Sequence, residues 1–512
     1  MNRRFRLGLL FIAVLPVLAL QAQEQKAQPD INLRTVEHLS SFAQTGRFVS
    51  DRSAAAAFFR SDHAFTELKG QLDWRHEDEA FDPAQGDEAL GGMFRVESYL
   101  RLDPRSAVFA GADYTNGTQR NVRWNSTSDY RLLYPYILAD SIGGDLKQEQ
   151  YHFYGGYTRM DGRFNYGITA GYRASQAYRQ VDPRPRNITA ELSADLSAGY
   201  RSGTYVLGVA GGIRTYKQQQ SVDFYDPNGA NTSELHFTGL GTFYRRYSGT
   251  SFTDTQYRGT GYHAALTLVP HDGAGWYALA DYDHWTVDRN LDGLNTATLT
   301  TLTVHTLTGG LACKHPGQHV DWAVKATGAY SVRQGTEHVM GSGDVNDNQP
   351  LAGQQLYKSR EADARVEGLV EWKRPAGRWS LRPSTDFRWT NEEYVYPRRR
   401  LEVAEVNAGA AVGFTRLQKA WLLDASVGGW HAVNLTGTFD IPLDDTDLRI
   451  YRYLETSYRR RTDSRTMVEA RVRVQRRLSL TTALFLSACY GRQFYGEGMS
   501  DGRLQVAAGL CF

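Results

Sequence analysis

Glu361, Asp363, Arg365, Glu367, Glu371 and Lys373 recur at a spacing of two along one stretch, with Ala362, Ala364, Val366, Val370 and Trp372 between them. Residues two apart share a face of a β-strand, so this stretch presents acids and bases on one side and apolar groups on the other. A dry core cannot hold such a row unless every charge is paired, so the chemistry it supports is that of a wetted wall. After the turn formers Arg374-Pro375-Ala376-Gly377, the pattern resumes with Arg382, Asp386 and Arg388. If Trp372 lies opposite Trp379, the same register sets Arg365 against Asp386 and Asp363 against Arg388, opposite charges both times. Arg95, Glu97 and Arg101 on an early strand, and Glu469, Arg471 and Arg473 on a late one, extend the charged lining. The expectation is a wall that holds water and pairs its own charges rather than a selectivity filter.

Catalysis needs a nucleophile or carboxylate with an oriented base on the same face. Asp281, Asp283 and His284 cluster on one strand, but Asp283 and His284 are neighbours and point to opposite faces. Ser251 and Asp254 fall in a polar connection, and no local signature of a barrel hydrolase accompanies them. No enzyme and no cofactor are expected. Asp344-Val345-Asn346-Asp347-Asn348 begins like a calcium loop but lacks the glycine at its sixth position and the closing glutamate. His315 and His319 merely bracket a Pro-Gly turn. The acidic run Glu77-Asp78-Glu79 with Asp82, Asp87 and Glu88 reads as a solvated loop, so no metal site is expected. The chain has 3 cysteines. Cys489 and Cys511 fall toward opposite ends of a predicted hairpin, too far apart for the roughly 7 Å that a disulfide demands.

The elements that carry these residues are strands. Ile188, Ala190, Leu192, Ala194, Leu196, Ala198 and Tyr200 form an apolar row with Thr189, Glu191, Ser193, Asp195, Ser197 and Gly199 between, a period no amphipathic helix shows. The turn Arg201-Ser202-Gly203-Thr204 leads to Tyr205, Leu207, Val209, Gly211 and Ile213 on the next strand. Tight turns at 103–106, 160–163, 374–377 and 416–420 alternate with long polar connections near 115–149, 217–258, 333–358 and 435–465. Aromatics flank the tight turns on the apolar face: Tyr157 and Phe164, Tyr200 and Tyr205, Trp372 and Trp379, Phe414 and Trp421. Short turn, long loop and an aromatic girdle together define an all-β, transmembrane antiparallel outer-membrane β-barrel. Hairpin counting gives about 18 strands, or as few as 14 if weak segments such as 63–75 and 466–475 drop out.

The two ends of the chain agree. Leu504, Val506, Ala508, Leu510 and Phe512 form an unbroken apolar row ending on an aromatic. This resembles the closing strand of bacterial outer-membrane barrels, which the insertion machinery reads. Residues 1–22 combine early arginines, an apolar stretch and small residues for cleavage, and are expected to be a signal peptide. Hydrophobic residues make up 41% and mean hydropathy is -0.49, with no apolar run after residue 22 long enough for a membrane helix. A formal net charge of +2 gives no field to attract nucleic acid. The expected partners are outer-membrane lipid, lipopolysaccharide and a small-molecule cargo. Residues 23–62 precede the barrel domain at 63–512 and end in Ser53-Ala54-Ala55-Ala56-Ala57-Phe58-Phe59. They are read as a periplasmic leader or a plug in the lumen.

The order of Asp51 to Phe59, Phe65 to Asp78, and then Phe94-Arg95-Val96-Glu97-Ser98-Tyr99-Leu100 with its Asp-Pro turn resembles an uncharacterised outer-membrane β-barrel family of Bacteroidota. The resemblance covers most of the chain after residue 22 and implies fold and location, since the family has no assigned activity. Members often carry an Asn-Pro-Ala-like stretch where Asp51-Arg52-Ser53-Ala54 stands here. That gives a distant architectural likeness to the hatch of long-chain fatty-acid transporters. The function expected is a channel or accessory uptake protein for a small nutrient in the bacterial outer membrane. The alternatives are a surface structural or adhesive barrel with a closed lumen, and a transporter of hydrophobic compounds.

Overall fold

In the computed structural model, residues 29–226, 234–250, 254–292, 297–340, 350–442, 448–496 and 498–512 are described. The expected signal peptide, the calcium-like run at 344–348 and Ser251 lie outside them. The strands are β1 (Phe65–Glu77), β2 (Glu88–Asp103), β3 (Ser106–Val122), β4 (Gly144–Asp161), β5 (Phe164–Tyr178), β6 (Arg184–Ser202), β7 (Tyr205–Asp223), β8 (Thr255–Pro270) and β9 (Gly275–Leu291). They continue as β10 (Ala297–His315), β11 (Val320–Met340), β12 (Pro350–Arg374), β13 (Gly377–Tyr394), β14 (Arg399–Gln418), β15 (Trp421–Asp440), β16 (Arg465–Arg477), β17 (Ala483–Tyr495) and β18 (Ser500–Cys511). Each pairs antiparallel with the next in one 18-stranded sheet, and β18 closes on β1 with Cys511 opposite Glu67. Beyond the last strand, Phe512 exchanges two backbone hydrogen bonds with Thr66, of 2.9 and 3.1 Å. At about 4.8 Å between strands and a tilt near 40°, eighteen strands make a cylinder of roughly 18 Å backbone radius. Wall side chains alone do not fill so wide a lumen.

One rim carries the tight turns and the start of β1, and is called here the turn end. The opposite rim, the loop end, carries the connections at 123–143, 224–254 and 441–464. Several strands run further toward the loop end than the alternation reaches. β12 has 25 residues and β11 has 21, occupying much of the stretch between 333 and 358 that reads as a loop. Beyond the apolar band both faces meet polar surroundings, so ladder bonds persist after the side-chain alternation is lost. Within the band the outward rows are dominated by apolar side chains, and Leu196 and Ile213 expose 66% and 65% of their surface. Such rows on every strand are stable only against lipid.

Two inserts occupy the lumen. At the turn end, residues 29–64 fold into α1 (Ile31–Leu39), α2 (Ser41–Gln44), α3 (Arg47–Ser50) and α4 (Ala54–Ala57). Asp30, Ser40 and Ser53 cap α1, α2 and α4 by accepting from the backbone N–H of Asn32, Ala43 and Ala56. Ile31 is fully buried with Phe65, Ala483, Phe485 and Cys511. On the far side, Val49 and Ala56 pack with Val206, Ala210, Ala265 and Val269. Gly167 of β5 is glycine because α4 lies against it, and a Cβ there would stand 2.4 Å from the Ala55 nitrogen.

At the loop end, the 123–143 connection with α5 (Tyr130–Leu133) meets a small sheet of Leu138–Ala139, Leu235–Gly239 and Thr242–Phe243, together with α6 (Leu448–Thr462). Their apolar side chains, including Trp124, Leu133, Phe237, Ile450 and Leu454, form one core with Tyr216, Trp285, Leu302 and Leu401 of the wall. The cap is therefore a folded apolar unit, not a solvated loop.

Candidate functional site

A cavity of about 740 Å³ adjoins the inner wall, where Asp363 and Arg365 of β12, Asp386 and Arg388 of β13, Glu405 and Asn407 of β14 and Glu469 of β16 line it. The strand pleat alone brings these groups to one side. Trp372 lies opposite Trp379 across the tight turn, and counting from it sets Arg365 opposite Asp386 and Asp363 opposite Arg388. Arg388 Nε donates to Asp363 Oδ1 at 2.9 Å, and Arg365 Nε stands 3.3 Å from Asp386 Oδ1. The row continues around the barrel. Arg365 also reaches Glu367 at 2.9 Å, which is held in turn by Lys325, while Arg388 reaches Glu405 at 3.8 Å and Arg465 binds the same carboxylate at 2.6 Å. Arg471 and Glu469 pair at 3.5 Å on β16. Half-exposed pairs of this kind contribute roughly 0–1 kcal/mol each, so the ladder is explained by polarity of the wall more than by stability. Trp430 of β15 adds an indole to the cavity lining, oriented by its Nε1 donating to Ser384 Oγ at 3.2 Å.

Not every expected lumen charge faces this cavity. Glu361 points inward beyond it toward the cap, opposite Thr390. Arg473 is 7% exposed beneath the plug, paired with Glu67 at 2.7 Å, with its guanidinium 3.6 Å from the centroid of the Phe485 ring. Arg101 donates to the Phe58 carbonyl at 2.7 Å, and Arg95 pairs with Asp113. Lys325, Glu405, Asn407, Trp430 and Arg465 join the charged belt although only its neighbours stand out in the sequence. Counting by two from Gly413, the inward neighbour of outward Phe414, would have reached Asn407 and Glu405.

The outward aromatics that flank the tight turns in sequence gather at the turn end. Phe164 packs on Tyr200 with ring centroids 5.3 Å apart, Trp379 on Phe414 at 4.6 Å, and Tyr205 lies opposite Pro270. Tyr157 and Trp421 are 37% and 49% exposed on the same outer face. Trp372 and Phe512 complete the girdle from β12 and the chain terminus.

Beneath the cavity, the plug is anchored at two separated places. On one side Gln475 Nε2 donates to Asn32 Oδ1 and Thr35 Oγ1, both at 2.9 Å, and Arg477 pairs with Asp30. Burial lowers the His38 pKa to about 3, aided by Arg47, so this α1 imidazole is neutral and stacks on Phe65 at 4.2 Å. On the other side Ala55 N–H donates to Ser197 Oγ at 2.8 Å, and Arg52 Nε stands 3.2 Å from Asp281 Oδ2. Asp281 also meets His263 Nδ1 at 3.2 Å, and His263 Nε2 meets Asp195 at 2.7 Å. Asp281 and Asp283 face inward with His263, whereas His284 faces outward beside Tyr262 and His305.

Above the cavity, the cap is tied by buried polar groups. Arg179 and Asp140 form a fully buried pair at 2.8 Å, and Ser126 Oγ lies 3.1 Å from Asp140 and 2.9 Å from Glu234. Burial, reinforced by Asp140, raises the Glu234 pKa to about 8. Arg333 donates to the Tyr134 and Arg131 carbonyls at 2.9 Å each, stitching α5 to β11. All three cysteines are free. Among the described residues there is no group of three or more His, Cys, Asp or Glu positioned for a metal.

A closed, 18-stranded, outer-membrane-type barrel with a plug, a cap and a charged cavity between them is the class that these features define. The chain belongs to a family of unknown function, DUF6850, whose model matches residues 54–512. Comparison with curated proteins finds no match. Among solved structures it is similar to BauA, the ferric preacinetobactin receptor of Acinetobacter baumannii, with 8% identity, TM-score 0.39, and coverage of 87% of this chain and 80% of that one. It is also similar to the outer membrane transporter YddB of Escherichia coli, with 8% identity, TM-score 0.39, and coverage of 87% and 81%. The siderophore receptor PirA of Pseudomonas aeruginosa gives 8% identity, TM-score 0.34, and coverage of 88% and 81%.

Proposed function

We propose that this chain is a bacterial outer-membrane barrel that passes a small polar solute through a gated lumen, with the turn end in the periplasm and the loop end outside. The observation that carries this reading is the charged cavity of about 740 Å³ between plug and cap. A barrel serving only as a scaffold has no need of a roomy, solvated belt of Arg365, Asp386, Arg388 and Glu405 in its middle. A wholly apolar cargo finds no greasy path past that belt, which disfavours the hydrophobic-compound reading. The apolar row of β18 with terminal Phe512 is the surface offered to the insertion machinery, and residues 1–22 are the export signal. The role is transport rather than catalysis.

The alternative of a surface structural or adhesive barrel draws on a different observation, the folded apolar cap that fills the loop end. Planar-bilayer recordings separate the two. The intact protein is expected to stay near baseline, while a variant lacking residues 29–62 and trimmed at 123–143 and 448–462 conducts steadily, with Arg388→Glu shifting its ion preference toward cations. Silence of that doubly opened variant, once its heat-modifiable gel mobility shows a folded barrel, would sink the transport reading.

A further inference from the structure

On the outward face of β7 and β8 the apolar rows stop at Ile213 and Tyr262, which stand opposite each other. The next outward pair toward the loop end is Thr215 with Thr260, and the one after is Lys217 with Arg258. Both cations are exposed. Two pairs of residues at about 3.3 Å each place them roughly 13 Å along the strands beyond the last apolar row. That is the headgroup level of the outer leaflet, where long cationic side chains sit with their stems over lipid. Directly opposed like charges on neighbouring strands repel by about 0.2–1 kcal/mol unless something lies between them.

Among the described residues neither cation forms an ion pair with a carboxylate. Arg258 Nη2 donates to Gln256 Oε1 at 3.1 Å, a neutral partner. Asp288 stands opposite Arg258 on β9, but among the described residues no ion pair joins them, and its Oδ1 accepts from Thr301 Oγ1 at 2.6 Å. Gln219 and Gln256 form the next pair toward the loop end, supplying amide donors. Arg186, exposed on β6 opposite Ser221, adds a third cation further along. An anion with several oxygens, held at this level and carrying acyl chains that lie against Ile213, Leu192 and Leu196, fits both the charges and the apolar rows beneath them.

We propose that Lys217 and Arg258 form a binding site for a phosphate of lipid A. The site rests on the outer-membrane reading given above. It is an external lipid site, separate from the lumen and its cargo.

The test uses the full mature protein, refolded or extracted in detergent, with lipid A carrying its phosphates and with the dephosphorylated form, read by native mass spectrometry. Wild-type protein is expected to retain phosphorylated lipid A and to lose it when the phosphates are absent. Lys217→Glu with Arg258→Glu is expected to weaken retention by more than the roughly 25-fold that loss of two juxtamembrane cations alone would cause. Should the charge reversal fail to fold, as judged by heat-modifiable mobility, Lys217→Gln with Arg258→Gln takes its place, with retention lowered in the same direction. Equal retention by wild type and a folded variant, or retention that ignores the phosphates, overturns the site. Cell fractionation separates this from the broader reading: wild-type protein absent from the outer membrane overturns the location and the site together, whereas correct location with unchanged lipid retention overturns the site alone.

Discussion

The Arg52–Asp281 contact should control the far side of the plug and leave the near side alone. Asp281 is fully buried and Arg52 is 42% exposed, at 3.2 Å. Breaking a fully buried pair costs about 3–5 kcal/mol, but Arg52 keeps water and Asp281 keeps His263, so about 1–2 kcal/mol is the reasonable loss. Local opening of α3 and α4 should then become roughly 5–30 times more frequent. Hydrogen exchange on the detergent-solubilised protein reads this directly. In Arg52→Ala, backbone amides at 47–58 should exchange faster by that factor, while α1, held by Gln475 and Arg477 on the opposite wall, keeps its wild-type rates. Asp281→Asn, which preserves shape and the His263 neighbour, should follow the same pattern more weakly. If α1 accelerates equally, the plug opens as one body and the two-anchor account is wrong. If neither region changes, the ion pair is a bystander.

The other expectations are simpler. Gln475→Ala removes the donor for Asn32 and Thr35, strands buried acceptors at a cost of about 2 kcal/mol, and should accelerate exchange in α1 while sparing 47–58. The Glu234 carboxyl titrates near 8 in the folded cap against an ordinary 4.5. The folded state therefore holds a proton that the unfolded loop releases, and cap stability must fall as pH rises from about 4.5 to 8. Exchange of amides at 123–143, corrected for intrinsic rates, should show that slope, and Glu234→Gln should flatten it. With three free cysteines, gel mobility should be identical with and without reductant, and a soluble thiol reagent should reach buried Cys511 more slowly than Cys489.

The barrel was legible because its constraints are local and repeated. Every crossing strand must alternate, every tight turn needs turn formers, and Trp372 with Trp379 pins a register from which Asp363 and Arg388 follow by counting. The strand ends were less legible, since the β11 and β12 ladders outlast the lipid band that imposes the alternation. Glu405 and Arg465 were hidden for a different reason. Glu405 is a lone acid on the inward row of β14, Arg465 stands at the very start of β16 ahead of its Glu469–Arg473 row, and only their shared pairing with β15 brings them to the same belt. The cap was the least readable element. Trp124, Phe237 and Ile450 lie far apart in sequence, in segments whose average is polar, and nothing periodic announces that they fold inward to meet one another.

The two inserts differ in kind, and the difference bears on how solute would move. The plug is attached by discrete polar links at opposite walls, with a modest apolar contact at each, so its far side can release while α1 stays in place. The cap is a continuous apolar core shared with the wall through Tyr216, Trp285 and Leu401, and opening it exposes that core to water all at once. Apolar burial at about 25 cal/mol per Å² makes such an opening far costlier than loss of one ion pair. Under the transport role proposed above, a solute leaving the cavity toward the turn end meets the lower barrier, and entry from the loop end needs something that compensates the cap's burial, such as a cargo or partner that binds the cap itself.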